Sequence, residues 1–147
     1  DTFFENSTVS EQYEFLYKVI GLNRKRKKFK LSMHWKDLLL MINTFPDNFF
    51  NFGVFDNKII IASAFCIKIS AHVLYVFYWG EIDGYEKISP VSFLSHNLIN
   101  FCRNNKFQIL DLGTSSKNSV ANYGLINFKQ SIGATSCSKF KLKKCIY

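Results

Sequence analysis

The sequence predicts an α/β fold in which a mixed β-sheet carries helices on its faces. Apolar residues recur at helical spacing in some segments and fill strand-length runs in others, and the segments follow the order α-α-β-β-β-α-β-α-β. A three-strand meander followed by strand, helix, strand, helix and strand implies both antiparallel and parallel pairing. With 147 residues, we expect one domain over residues 1–147, alone or as part of a longer or two-domain protein.

Two helices are predicted ahead of the first strand. Thr8 and Glu11 form a capping-box pattern, apolar residues follow at helical spacing, and Gly21 predicts the end of the first helix. The second helix presents an apolar face within Trp35–Ile42. It ends before Pro46, because a residue that precedes proline resists the helical conformation.

A β-hairpin and a central strand come next. Phe50–Phe55 and Lys58–Ile69 are strand-like segments joined by a turn at Asp56-Asn57. His72–Trp79 is apolar on both faces, which is typical of a central strand that is covered on both sides. A polar loop over Gly80–Lys87 follows it.

The C-terminal half alternates helices and strands. Ser89 before Pro90 predicts a helix start, with serine as the N-cap and proline at the first helical position. Phe107–Leu112 is a predicted strand, residues 122–132 a predicted helix, and residues 135–143 a predicted final strand.

Composition limits the classes of function. The formal net charge of +8 favours anionic partners such as nucleotides, phosphorylated cofactors, RNA or membrane surfaces. No apolar run reaches the roughly 18 residues of a membrane span. The four cysteines form no CxxC pair and the three histidines are scattered, so we predict reduced thiols and no metal. We expect a cytoplasmic location, which includes the inner face of the membrane.

The segment 111–134 carries the most specific pattern. It contains Asp-Leu-Gly-Thr-Ser-Ser at 111–116, Gly-Leu at 124–125, Phe-Lys at 128–129 and Ile-Gly-Ala at 132–134. This pattern resembles the signature of Fem-type acyltransferases, a branch of the GNAT superfamily. Leu112 and Ile132 depart from it, because the family has aromatic residues there. The usual GNAT phosphate loop is also absent between Trp79 and Ser89.

The resemblance implies an enzyme with a GNAT fold, an acyl donor and a nucleophilic acceptor. The implied donor is an acyl-CoA or an aminoacyl-tRNA. The implied acceptor is an amine or hydroxyl of a cell-envelope precursor, that is, a small molecule, a glycan or a peptide. The alternative is a non-catalytic GNAT-like module that binds RNA or an anionic precursor through its basic segment.

Two residues are candidate catalytic groups. The resemblance implies that Lys129 stabilises the oxyanion or grips a donor phosphate, whereas a helix lysine is otherwise typically a solvated one. Asp111, at the end of a predicted strand, could take or orient the proton of the acceptor amine. An aspartate before glycine is also a common turn former.

Four residues are candidates for donor binding. In a GNAT sheet the central strand and its neighbour diverge, and the donor lies in the gap. This implies roles for Tyr78, Trp79 and Gly80 at the end of the central strand, although both aromatic side chains also suit a core. Ser89 begins a helix whose free N–H groups and positive dipole end could hold a donor phosphate.

Acceptor binding is expected from two further segments. Thr114, Ser115 and Ser116 could bind hydroxyl or phosphate groups, or simply form a turn and a helix cap. Arg24 and Arg26, within a basic run that extends to Lys30, could hold an anionic acceptor or a tRNA backbone. A run of this length is otherwise typical of a solvated loop between two helices.

Overall fold

A computed structural model describes residues 9–138, 140 and 144. The chain divides into two compact units, Asp1–Gly113 and Thr114–Tyr147. The single domain that the chain length suggests stays a prediction.

The first unit holds the sheet and most of the helices. Its elements are α1 (Val9–Arg26), α2 (Trp35–Thr44), β1 (Phe49–Asp56), β2 (Ile59–Lys68), β3 (Val73–Glu81), α3 (Pro90–Asn104) and β4 (Ile109–Asp111). Short 3-10 helices span Pro46–Asn48 and Glu86–Ile88. The second unit contains β5 (Ser116–Lys117), β6 (Val120–Ala121) and α4 (Tyr123–Ser131).

The main sheet is mixed, as the sequence predicts. Its four strands lie in the order β1-β2-β3-β4. The first three strands pair antiparallel as a meander, whereas β4 pairs parallel to β3 after the crossover through α3. The predicted hairpin and central strand are therefore confirmed.

Each face of the sheet is covered by helices. On β2, Phe65 points into an apolar cluster with Leu16 and Ile20 of α1 and Leu38 of α2. The neighbouring positions of β2 point the other way, into a second cluster formed with α3. Its buried members are Ala62, Ala64, Cys66, Leu74, Val76, Leu94, Leu98 and Cys102. From Ala62 to Ile67 the side chains of β2 alternate between the two faces, because a strand has a period of two residues.

Helix α1 contacts the sheet through polar groups as well as apolar ones. The buried hydroxyl of Ser63 donates to the carbonyl of Leu16 at 2.7 Å. The Asn23 amide donates to the carbonyl of Glu81 at 2.9 Å. At Gly80, an added Cβ would lie 2.9 Å from Asn23 Cβ, so the absence of a side chain lets α1 approach β3.

The end of the first helix differs from its prediction. Gly21 does not end α1, which continues to Arg26. Ile20 and Asn23 are both buried, so tertiary packing on either side of the glycine outweighs its low helix propensity. The predicted capping residue Thr8 lies outside the described residues.

The C-terminal segment also differs. Residues 135–138 form no strand, and the rest of the predicted final strand falls largely outside the described residues. Between the predicted strand Phe107–Leu112 and the predicted helix over residues 122–132, the structure contains the small antiparallel pair of β5 and β6. β4 is shorter than the predicted strand and covers only Ile109–Asp111.

Two glycine substitutions should change stability in opposite directions. Gly80→Ala forces Asn23 away from β3 and should lower the free energy of unfolding by about 1–3 kcal/mol. A Cβ added by Gly21→Ala would lie 3.8 Å from Leu31 Cδ1, which is an ordinary contact. This substitution should raise the free energy of unfolding by up to about 1 kcal/mol, because alanine favours the helix. Urea unfolding followed by circular dichroism measures both, and the same sign for the two changes would contradict this packing.

Candidate active site

A β-bulge in β3 determines which side chains point to each face near the end of the strand. Phe65 pairs with Tyr78 whereas Cys66 pairs with Val76, so Phe77 is the extra residue on β3. Val76 consequently packs in the cluster with α3, whereas Phe77 and Tyr78 both pack in the cluster with α1 and α2. A bulge of this kind increases the local twist and bends the strand.

The parallel ladder between β3 and β4 ends just before the bulge. Its pairs are Val73 with Ile109, Leu74 with Leu110 and Tyr75 with Asp111, whereas β3 continues to Glu81. The edge of Val76–Tyr78 on the β4 side therefore extends beyond the last β3–β4 pair. A strand edge of this kind can bind an extended chain through backbone hydrogen bonds.

Tyr75 and Asp111 form the last pair of the β3–β4 ladder, at the end of β4. The Gly113 N–H donates to Asp111 Oδ1 at 2.7 Å, and Gly113 has a φ of +71°, so the carboxylate closes a tight turn. An added Cβ on Gly113 would lie 3.5 Å from the Tyr75 hydroxyl oxygen. This places the phenol beside the turn that holds the carboxylate.

The environment of Tyr75 keeps its phenol protonated. Burial raises the pKa of Tyr75, and the nearby Asp111 carboxylate and Tyr78 raise it further. A phenol that stays neutral at ordinary pH can donate a hydrogen bond or a proton. The pair of Tyr75 and Asp111 therefore combines one proton donor with one proton acceptor.

The predicted donor-binding residues on β3 point in different directions. Tyr78 is buried on the α1 and α2 face, where its hydroxyl lies 2.5 Å from Ser32 Oγ. Trp79 is half-buried and packs against the cluster with α3. Gly80 is buried against Asn23. The bulge thus separates the two aromatic side chains that are adjacent in sequence.

The start of α3 does not present the free N–H groups that the sequence predicts. Ser89 is the N-cap but has a left-handed backbone, and its hydroxyl donates to the carbonyl of Glu86 at 3.3 Å instead of capping the helix. Pro90 has no N–H. The N–H of Val91 donates to Glu81 Oε2 at 3.3 Å. A carboxylate of the protein therefore lies at this helix terminus.

The basic run begins in the last turn of α1 and continues, over residues 27–30, into the exposed loop ahead of α2. Arg24 and Arg26 lie in the last turn of α1, where cations offset the helix dipole. Arg26 forms ion pairs with Asp83 and Glu86, at 3.1 Å for the latter. One of the predicted anion-binding side chains thus already has carboxylate partners within the protein.

The remaining predicted residues belong to the second unit. Lys129 is a buried residue of α4, and its ammonium group donates to the carbonyl of Thr114 at 3.3 Å. It is therefore not a solvated helix lysine. Ser116 lies in β5, and Ser115 precedes it. The side chain of Asn122, rather than a serine, caps α4 by accepting from the N–H of Leu125 at 3.0 Å.

The structure brings forward two residues that the sequence reasoning missed. Tyr75 lies within an apolar run, and nothing in that run distinguishes it from Tyr78. Glu81 directly follows Gly80, so a carboxylate next to the end of a central strand was the available signal. Tyr75 is identified only by its interaction with Asp111, and Glu81 only by its hydrogen bond with Val91.

Neither a metal site nor a membrane span is found in the part of the chain that the structure describes. Within residues 9–138, 140 and 144, no group of three or more His, Cys, Asp or Glu side chains could hold a metal ion. No helix within the same residues is long and apolar enough to cross a membrane.

Sequence comparisons do not assign the chain to a family. No protein-family model matches it, and no curated protein sequence matches it.

Comparison with solved structures identifies the fold. An aminoglycoside acetyltransferase from an uncultured soil metagenomic sample, in complex with sisomicin, superposes with a TM-score of 0.65 and 14% identity. This match covers 95% of this chain and 90% of that chain. An aminoglycoside antibiotic 6′-N-acetyltransferase from Acinetobacter haemolyticus, in its apo form, also has a TM-score of 0.65, at 10% identity, and covers 96% of this chain and 97% of that chain. The protein therefore has the GNAT fold. These two structures support the GNAT fold and do not distinguish the Fem-type branch within it.

Tyr75→Phe should reduce the loss of stability at alkaline pH. The folded state holds the Tyr75 proton more tightly than the unfolded state, whose tyrosine pKa is about 10. The resulting stabilisation is complete below about pH 10 and is lost as the pH rises through the raised folded-state pKa. Urea unfolding from pH 9 to 11.5 should therefore show a smaller decline for the variant than for the wild type.

A measurement at pH 7 serves as the internal control for this experiment. At pH 7 the Tyr75 phenol of the wild type is neutral and the variant has no ionisable group at this position, so any difference there reports packing and hydrogen bonding alone. Identical alkaline declines in the two proteins would contradict the environment described for Tyr75.

Proposed function

We propose that this protein is an acyltransferase that moves an acyl group from a thioester or ester donor to a primary amine of a small acceptor. The observation that carries the proposal is the end of the β3–β4 ladder at the pair of Tyr75 and Asp111, while β3 continues to Glu81. A proton donor and a proton acceptor lie there, next to an edge of β3 at Val76–Tyr78 that pairs with no strand on the β4 side among the described residues. The two solved structures with the same fold are acetyltransferases, which supports the same reaction class.

The open edge suits the acyl arm of a donor. An extended arm with amide groups, such as the pantetheine arm of an acyl-CoA, could pair with the backbone of Val76–Tyr78 as an added strand. The start of α3 is less suited to the phosphates of such a donor, because Glu81 already accepts from Val91 there. We therefore assign no role to a nucleotide phosphate.

The two side chains divide the proton transfers between them. The donor supplies an activated acyl carbonyl. As the acceptor amine attacks that carbon, Asp111 takes one proton from the nitrogen, and the bond between the carbon and the leaving sulfur or oxygen breaks. Tyr75 donates its phenol proton to the leaving atom, and solvent restores both groups. The raised pKa of Tyr75 keeps the phenol protonated for this role.

Charge favours an acceptor that is not a polycation. The structural neighbours act on aminoglycosides, which carry several amines. This chain has a formal net charge of +8, which repels such molecules at long range. An amine on a neutral or anionic cell-envelope or glycan precursor fits the charge better, and it agrees with the Fem-type resemblance of residues 111–134.

The non-catalytic alternative has weaker support. It relies on the basic run alone, whose lysines are exposed but in which Arg26 is engaged by Asp83 and Glu86. The predicted roles of Lys129 and of Thr114–Ser116 remain predictions, and the proposal relies on residues of the first unit alone.

Tyr75→Phe and Asp111→Asn should each lower kcat by about 100-fold or more and change KM little, because each removes a proton-transfer group. The assay incubates the protein with acetyl-CoA, S-acetylpantetheine or aminoacyl-tRNA and a panel of amines. The acylated amine is quantified by mass spectrometry, because the exposed Cys137 would react with thiol reagents.

Tyr85→Phe is the matched control, because Tyr85 is also a phenol beside a carboxylate, that of Asp56, but lies in the loop between β3 and α3. It should retain wild-type kcat. The absence of product with every donor would refute acyl transfer. Full activity of both Tyr75→Phe and Asp111→Asn would refute the assignment of these two residues.

A further inference from the structure

The first turn of α3 has its hydrogen-bond donors already engaged. Pro90 contributes no N–H, and the N–H of Val91 donates to Glu81 Oε2 at 3.3 Å. The N–H groups of Ser92 and Phe93 both donate to the carbonyl of Ser89, at 2.9 and 3.2 Å. A phosphate that approached this helix terminus would find no first-turn N–H without displacing a partner.

Glu81 is held in place through its backbone. The Asn23 amide donates to the Glu81 carbonyl at 2.9 Å, and Asn23 itself is buried in α1. Glu81 directly follows Gly80, and α1 and β3 are in close contact at Gly80. Its position at the start of α3 therefore follows from the packing of α1 on the sheet.

Two cations that follow each other at the end of α1 lie near carboxylates of the protein. Arg26 pairs with Asp83 and Glu86 of the loop between β3 and α3, and the Glu86 carboxylate also accepts from the N–H of Gly84. Lys27 lies within electrostatic reach of Glu81: burial lowers the pKa of Lys27 and Arg26 lowers it further, whereas Glu81 raises it. The attraction of these two cations for a phosphate is thus reduced by carboxylates of the protein.

We infer that Glu81 is a specificity-determining residue that excludes a phosphate from the first turn of α3, so that the donor is recognised through its acyl arm and not through a nucleotide. This inference rests on the proposed function for the identity of the donor. A helix N-terminus normally attracts anions, and here the carboxylate of Glu81 takes the position of that anion. An incoming phosphate would have to displace this carboxylate and would be repelled by its charge.

The test compares the wild type with Glu81→Gln, which keeps the shape of the side chain and removes its charge. Inorganic pyrophosphate is titrated into each ¹⁵N-labelled protein at low ionic strength, and amide shifts in the first turn of α3 are followed by NMR. The variant should bind pyrophosphate about fivefold more tightly than the wild type, with the largest shifts at Val91 and Ser92. The dispersion of the remaining amides reports that the variant is folded.

Glu86→Gln is the matched control. It removes an equal charge from the adjoining loop, leaves the contact between Glu81 and Val91 intact, and leaves Arg26 with its second partner, Asp83. Its pyrophosphate affinity should change less than twofold. An equal gain in both variants would attribute the effect to overall charge and overturn the inference. Equal binding by the wild type and Glu81→Gln, or no binding by either, would overturn it as well.

A second readout separates this inference from the proposed function. The ratio of kcat/KM for acetyl-CoA to that for S-acetylpantetheine should lie near one for the wild type and should rise about fivefold in Glu81→Gln. If no donor is turned over, the proposed function fails, whereas the pyrophosphate titration still decides the role of Glu81. If both donors react and the ratio does not change, Glu81 does not determine specificity and acyl transfer stands.

Discussion

The β-bulge at Phe77 is the constraint on which the arrangement of the site depends. Before the bulge, β3 pairs with β2 on one side and β4 on the other. At the bulge, one extra residue moves Tyr78 to the face covered by α1 and α2, and the pairing with β4 has already ended. A regular strand would place Val76 and Tyr78 on the same face and would favour a longer parallel ladder. The bulge therefore determines which face Tyr78 occupies, just beyond the last pair of the β3–β4 ladder, Tyr75 with Asp111.

Packing of α1 against the sheet connects the bulge to the electrostatics of the loop between β3 and α3. Gly80 and Asn23 allow close contact at the end of β3, and this contact positions Glu81 at the start of α3. The same approach brings Arg26 to Asp83 and Glu86. A chain with a net charge of +8 therefore contains a locally balanced network at the place where a phosphate would be expected. Net charge alone says little about what such a protein binds.

Much of the first unit is predictable from local patterns, whereas the site is predictable only in part. The hairpin of β1 and β2, the central strand β3 and the proline-initiated α3 all agree with the sequence, because apolar periodicity and turn residues act over short distances. Asp111 could be named from its place at a strand end. Tyr75 could not be named in this way, because its neighbour in the site, Asp111, lies 36 residues further along the chain (111 − 75). No local pattern in the sequence marks the contact between them.

The sequence by itself determined the fold class, the order of most elements and the GNAT resemblance, since these depend on periodicity, caps and short motifs. Only the tertiary structure decided that α1 continues through Gly21, that Arg26 is paired, and that Glu81 and not a free row of N–H groups occupies the start of α3. The physical reason is common to all three. Each depends on the burial and charge balance of groups that lie far apart in the chain, and such terms exceed the fraction of a kcal/mol by which local propensities usually differ.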